Sequence, residues 1–261
     1  MHRYGTRFGG IGRLYSKEGL ERLRHAHVCV IGVGGVGSWA VEALARSGVG
    51  ALTLVDMDDI CVSNVNRQIH ALDSEIHKPK VESMAARVHA INPACVVRAE
   101  RAFFVPANAG KILDTRFDFV LDAIDAVREK ALCVSLCRTL QIPVITSGGA
   151  GGRRDPTQVR VDDLSRATHD RLLVSLRKTL RADHGFSRTE KKFGVECVFS
   201  PEPLVYAQSD GSVCDTKEAG SALRLDCRAG FGTATFVTGT FGFVAAARIV
   251  SRIAAGAEST R

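Results

Sequence analysis

The chain has 261 residues, an apolar fraction of 45% and a charged fraction of 24%, the proportions of a folded globular protein, which exclude a disordered or fibrous one. Its length suits one large α/β domain with at most a subsidiary lobe. A net charge of +7 favours a polyanionic partner but does not identify one.

In chain order, the first 24 residues are basic and hold no apolar run, so they do not read as a secretory signal. With eight cysteines and no such leader, the chain is expected to be reduced and cytoplasmic. "HVCVIGV" (27–33) is a β-branched apolar run ending in glycine, the pattern of a buried strand. The loop Gly32-Val33-Gly34-Gly35-Val36-Gly37 comes next, and "VGSWAVEALARSG" (36–48) spaces its apolar residues as a helix that stops at Gly48. "ALTLVD" (51–56) is the next strand. Strand, glycine turn, helix and strand in this order open a doubly wound, mostly parallel Rossmann-like α/β sheet.

The alternation continues with a helix over 79–91, a strand over 95–100, a helix over 106–114, a strand over 117–125, a helix over 127–140 and a strand over 142–149. Cys133 and Cys137, four apart in a helical pattern, are assigned to packing, and Asp125 to ending its strand or capping the next helix. Residues 1–150 thus read as a nucleotide-binding core, and 151–261 as a less regular part of the same single domain. That part offers a strand over 156–164, an amphipathic helix over 167–185 and a loop over 186–192. Between Arg166 and Lys192 basic residues far outnumber acids, which fits either a solvated helix face or a contact surface for a phosphate backbone. The uncharged stretch 229–247 would pass a hydropathy criterion for a membrane span. Its dense glycines instead suit a close-packed C-terminal helix in the core, so no stable membrane insertion is expected.

A glycine turn of this kind serves dehydrogenases, methyltransferases and ATP-using enzymes alike, because it brings backbone and a helix N-terminus against phosphate. The residues beyond the turn narrow the choice. Asp56 ends the second strand, where an acid accepts hydrogen bonds from ribose hydroxyls. "DMDDICVSNVNRQIH" (56–70) then places Asp58, Asn64, Arg67 and Gln68 beside the nucleotide, and Lys80 starts the next helix. An Arg and a Lys converging on one pocket argue for a triphosphate, since the diphosphate bridge of NAD is normally held by the helix N-terminus alone. Asp58 and Asp122, which could meet over it, point to bound Mg2+. Trp39 is assigned to packing, and His70 and His77 to solvent-facing or capping roles.

Gly-x-Gly-Gly-x-Gly, Asp-x-Asp, Ser-Asn-x-x-Arg-Gln, a Lys sixteen residues beyond that Asn, and "LDAID" form an ordered set over residues 7 to about 150 that resembles the ubiquitin-activating-type adenylation superfamily of ThiF and MoeB. "RFGGIGRLY", "NRQIHAL", "TSGGAGGRRDPTQVRVDDL", "CVFSPEPLVYAQSDGSVC" and "GFGTATFVTGTFGFVAA" are similar to its branch of tRNA threonylcarbamoyladenosine dehydratases, TcdA or CsdL, over nearly the whole chain. The Cys-x-x-Cys pairs common in ThiF and MoeB are missing, and no zinc is expected.

The resemblance implies that Gly32, Gly34, Gly35 and Gly37 form the phosphate turn and Asp56 holds the ribose, while Asn64, Arg67 and Lys80 hold the triphosphate of ATP with Gln68 in support. It implies Asp122 as the residue organising Mg2+ and the reacting α-phosphate, with Asp58 second, and Arg7 as an arginine inserted into the partner's site in a homodimer. The implied reaction activates the threonyl carboxylate beside the tRNA anticodon and closes it into a ring with net loss of water. Two other readings stand beside it: adenylation of the C-terminus of a ubiquitin-like sulfur carrier, which would use the same ATP residues, and, from a different class, a sulfur acceptor or scaffold for a cysteine desulfurase, with Cys227 as its thiol. The missing zinc pairs count against the first. An NAD-dependent dehydrogenase is disfavoured by the triphosphate-type cluster.

Overall fold

A computed structural model describes residues 2–189, 191–216 and 231–256. Strands β1 (His27–Ile31), β2 (Ala51–Val55), β3 (Val96–Glu100), β4 (Phe119–Asp122), β5 (Val144–Ser147), β6 (Arg160–Asp163) and β7 (Glu196–Phe199) form one sheet in the order β3-β2-β1-β4-β5-β7-β6. Every pairing is parallel except β6 against β7. The inner strands are buried on both faces, which is why they read as continuous apolar runs instead of alternating ones. Strand order reverses between β1 and β4, and in such a sheet a ligand crevice opens at the strands' C-terminal ends at that point. The expected Rossmann-like α/β class therefore holds.

Helices α2 (Gly37–Arg46), α3 (Lys80–Ile91), α4 (Pro106–Ile112), α5 (Val127–Thr139) and α6 (Arg171–Asp183) connect the strands, and α7 (Thr235–Ala255) closes one face. In α7, Val237, Phe241, Ala245 and Ile249 recur every four residues and are fully buried. That stripe packs on α2 at a distance only glycine permits: a Cβ on Gly242 would stand 2.5 Å from the Val36 carbonyl. By length and composition α7 could cross a membrane, yet half of its most apolar window is buried inside the protein, as expected of a core helix. It starts at Thr235, later than the apolar run does.

Two elements are not legible in the sequence. Helix α1 (His2–His25) carries glycines at 5, 9, 10 and 12, which oppose helix formation locally. Tertiary contacts override that preference: Phe8 and Leu23 are buried, the Tyr4 hydroxyl donates to the Gly48 carbonyl, and the Arg22 guanidinium donates to the Ala254 carbonyl. The helix is broken at Ser16, whose φ is 71°. Strand β7, only four residues long, is specified by its place between β5 and β6 and not by periodicity. A small hairpin, β8 (Tyr206–Ala207) with β9 (Val213–Cys214), comes after it.

Candidate active site

Gly32 leaves β1 with φ 90°, a conformation that would force a Cβ to within 2.7 Å of the Ala123 carbonyl; a Cβ on Gly37 would lie 1.8 Å from the Gly32 carbonyl. The turn therefore closes on itself and on the β4–α5 loop, which leaves Gly34 and Gly35 lining a cavity of about 1360 Å3. Gly37 is buried and takes no part in the lining; its task is this close approach.

Asp56 stands at the end of β2 and is held from two sides. Its Oδ2 accepts from the Val33 amide at 2.7 Å and its Oδ1 from the Asp58 amide at 2.9 Å. Burial pushes its carboxyl above the usual aspartate range, with the Lys80 ammonium opposing the shift. Lys80 lies 3.9 Å from Asp56 Oδ1 and 2.7 Å from Asp58 Oδ2. Asn64 Oδ1 accepts from the Cys61 amide at 3.0 Å, which fixes the short turn Val62–Asn64. Arg67 Nη1 donates to the Ser63 carbonyl at 2.6 Å and to Asn66 Oδ1 at 3.0 Å, and Trp39 Nε1 pins the Arg67 carbonyl at 3.0 Å. Trp39 is thus a packing residue, stacked edge-on against Phe243, that also orients the arginine. Gln68 reaches toward the glycine turn, and its Oε1 is a buried acceptor with no partner in the protein.

All six of these polar residues, Asp56, Asp58, Asn64, Arg67, Gln68 and Lys80, line the one cavity. Asp122 does not. Its carboxylate is fully buried, accepting at Oδ2 from Lys130 Nζ at 2.8 Å and Thr146 Oγ1 at 2.6 Å, and at Oδ1 from the Ile124 amide at 3.0 Å. Fully buried, paired with Lys130 and absent from the cavity lining, this carboxylate is not presented to a ligand there, so the metal role read for Asp122 is corrected. The residue missed is Asp125, three positions on: exposed, and in the cavity wall beside Ile124 and Ala126. The signal for it was the second acid of "LDAID", since a residue just past the strand emerges into the crevice where the strand's last side chain stays beneath it. Among the described residues no group of three or more His, Cys, Asp or Glu could hold a metal ion without further ligands. The exposed carboxylates of the lining, Asp125 and the second candidate Asp58, do fit Mg2+, which commonly takes one or two carboxylates and completes its shell with waters and substrate phosphates.

Arg7 is exposed and lies away from this cavity, its Nη1 donating to the Ile91 carbonyl at 2.9 Å, at the end of α3 opposite Lys80. Cys227 falls outside the described residues. Cys133 and Cys137 are fully buried on α5, as packing requires. His70 is also buried, contrary to a solvent-facing role, and neither ring nitrogen has a partner in the protein. Burial, with Lys80 and Arg87 nearby, pushes its pKa down to about 4. His77 is exposed, with φ 70°.

The cavity runs on past the nucleotide residues along Ser147–Gly151 to Arg171, Leu204 and Phe231. Its volume exceeds the roughly 300–1,000 Å3 of ordinary small-molecule pockets.

The chain matches the ThiF family over residues 10–257. It belongs to that family. It is 51% identical over 253 residues to the tRNA threonylcarbamoyladenosine dehydratase of Escherichia coli (strain K12), covering 96% of this chain and 94% of that one. The dehydratase of Haemophilus influenzae is 49% identical over 251 residues, with 96% and 94% covered. The crystal structure of the E. coli dehydratase, TcdA, in complex with ATP superposes with a TM-score of 0.85 at 46% identity, over 96% of this chain and 95% of that one. E. coli MccB with ATP shares the fold alone, at 16% identity and a TM-score of 0.62. The resemblance carried by the motifs, to the ThiF superfamily and to its dehydratase branch, is borne out by these matches, and the chain is an enzyme of the ThiF family.

Proposed function

We propose that this enzyme uses ATP to dehydrate threonylcarbamoyladenosine in tRNA, closing the threonyl group into a ring. The observation that carries this reading is one cavity in which a ribose-type carboxylate, an Arg, a Lys and two amide side chains gather at a glycine turn, and which extends past Asp125 into space for a second reactant. A carboxylate at neutral pH is a poor electrophile, because its charge repels nucleophiles and oxide does not leave. Attack of one carboxylate oxygen on the α-phosphate releases pyrophosphate and gives an acyl-adenylate. A nucleophile of the same modified nucleoside then closes the ring and expels AMP, so no enzyme thiol is needed. The protein's share is alignment and charge neutralisation: Asp56 for the ribose, with Asn64, Arg67, Gln68 and Lys80 along the phosphates. Asp125 is the carboxylate placed to hold Mg2+, which when bound with ATP offsets phosphate charge.

Arg7 is exposed outside its own cavity and is read as reaching a second copy's site, which makes the active unit a homodimer. The chain acts as one domain whose first 150 residues hold the nucleotide and whose remainder faces tRNA. In its segment 166–192, Arg166, Arg171, Lys178, Arg188, Lys191 and Lys192 are exposed, whereas Arg177 and Arg181 are spent on the carbonyls of Leu164, Ala167 and Ser187. These six exposed cations of the 166–192 segment are available to an anticodon-arm backbone. Among the described residues no cysteine lines the cavity, so no particular observation favours a sulfur-transfer reading. The test is mass spectrometry of tRNA nucleosides from a deletion strain, together with ATP turnover by purified protein on tRNA with and without the modification. Loss of the cyclic nucleoside and modification-dependent turnover are expected; an unchanged cyclic-to-open ratio defeats the reading.

A further inference from the structure

The far end of the cavity holds groups that ATP does not need. Phe231 lines it and packs on Tyr206 at 5.5 Å between ring centroids, and the chain at 151 and 152 is glycine, where a Cβ would come within 3.0 Å of Phe231 Cβ and 2.9 Å of its ring. Arg171, the first residue of α6, is exposed at the rim of the same stretch with its guanidinium 5.5 Å over the Tyr206 ring. Among the described residues it has no ion pair. Asp170 beside it is spent within the fold, capping α6 through the Leu173 amide at 3.0 Å and accepting from the Gly149 amide at 3.0 Å.

Arg153 supplies a further, independent sign of a ligand. It lines the cavity yet is only 3% exposed. Its Nη2 donates to the His169 carbonyl at 3.1 Å and the Ser200 carbonyl at 3.0 Å, and lies 3.5 Å from Asp170, while its Nε is a buried donor with no partner in the protein. A buried N–H of a charged group is costly to leave unpaired.

We propose that the stretch between Gly149 and Phe231 is the nucleoside subsite for the tRNA's modified adenosine. Phe231 is the face on which the base stacks, Arg153 Nε is a donor to a polar oxygen of the nucleoside, and Arg171 is the rim cation that receives the adjoining phosphodiester. An unstacked base laid on an aromatic ring beside an arginine is how proteins take single nucleotides from RNA loops. The assignment rests on the dehydratase reading and adds to it which residues select the nucleoside.

The experiment measures cyclisation of modified tRNA, its KM and salt dependence, and ATP affinity, for wild type, Phe231→Ala, Arg171→Ala, Arg171→Lys and Gly149→Leu. Position 149 is chosen because a Cβ there meets nothing nearer than Leu172 at 4.0 Å, so a larger side chain fills the subsite without touching the glycine turn at 32–37. Phe231→Ala is expected to raise the KM for tRNA about 10- to 100-fold with ATP affinity kept. Arg171→Ala is expected to lower the salt slope of tRNA binding by about one unit, restored by Arg171→Lys. Gly149→Leu is expected to abolish cyclisation while still binding ATP, which also shows that it folds. If wild type cyclises and these variants keep its KM and salt slope, the subsite assignment falls and the dehydratase reading stands. If wild type leaves the nucleoside open, the dehydratase reading falls, and the subsite with it.

Discussion

The Asp122 carboxylate lies 2.8 Å from the Lys130 ammonium, and both side chains are fully removed from solvent. Thr146 and the Ile124 amide complete the shell around the acid. Removing one partner of such a pair leaves an uncompensated buried charge, which costs about 3–5 kcal/mol. Lys130→Met is therefore expected to lower unfolding free energy by about that amount, read by urea denaturation. The double variant Lys130→Met/Asp122→Asn is expected to recover part of the loss, because no charge is left stranded. A single variant as stable as wild type would show that the pair contributes nothing net.

Asp125 makes the complementary case. Its side chain is exposed at the cavity, so Asp125→Asn should leave Tm unchanged while removing one negative charge from the cavity wall. Loss of one such electrostatic group is expected to lower kcat about 10²–10³-fold with little change in the KM for tRNA. Raising Mg2+ should partly restore activity if this carboxylate holds the ion. Steady-state kinetics across a Mg2+ titration decides it; full activity of the variant at low Mg2+ would remove Asp125 from the site.

These two acids also show how far the sequence could be read. That Asp56, Asp58, Asn64, Arg67, Gln68 and Lys80 would gather was legible because they sit on a strand end, a loop and a helix start whose order along the chain is fixed by the fold, and all six line one cavity. Asp122 and Asp125 were not separable, because three residues at a strand end change the side chain's destination from beneath the sheet to the crevice, and a sequence does not mark where the strand stops. Helix α1 was hidden by its glycines, whose cost is offset by the burial of Phe8 and Leu23, contacts made at long range. The mouth of the second subsite was hidden for the same reason: Arg171, Arg153 and Phe231 come from three distant segments.

His70 gives a pH prediction. The unfolded ring takes up its proton near 6.5 and the folded one near 4, so between those values the unfolded state binds more protons. Stability from this group is therefore complete above about pH 6.5 and is lost as pH falls toward 4. Between pH 7 and pH 5 the ring accounts for a drop of about 2 kcal/mol, at about 1.36 kcal/mol per unit. His70→Leu, which also removes two unpartnered ring nitrogens, is expected to flatten that slope. Urea midpoints at both pH values for both proteins test it; equal slopes would mean the ring titrates alike folded and unfolded.

Arg7 tests the dimer. Its guanidinium lies on the opposite end of α3 from Lys80, bonded to the Ile91 carbonyl, and reaches no atom of its own cavity. If it completes the site of a second copy, Arg7→Ala and Arg67→Ala should each be inactive alone, since every site in either homodimer lacks one arginine. Mixed by co-expression, a heterodimer has one site missing both residues and one site missing neither. With random pairing, half the dimers are mixed and half of their sites intact, so about a quarter of wild-type activity is expected to return. Recovery on mixing, followed with ATP and modified tRNA, requires action across the interface. An active Arg7→Ala homodimer, or no recovery with dimerisation intact, would place Arg7 outside catalysis.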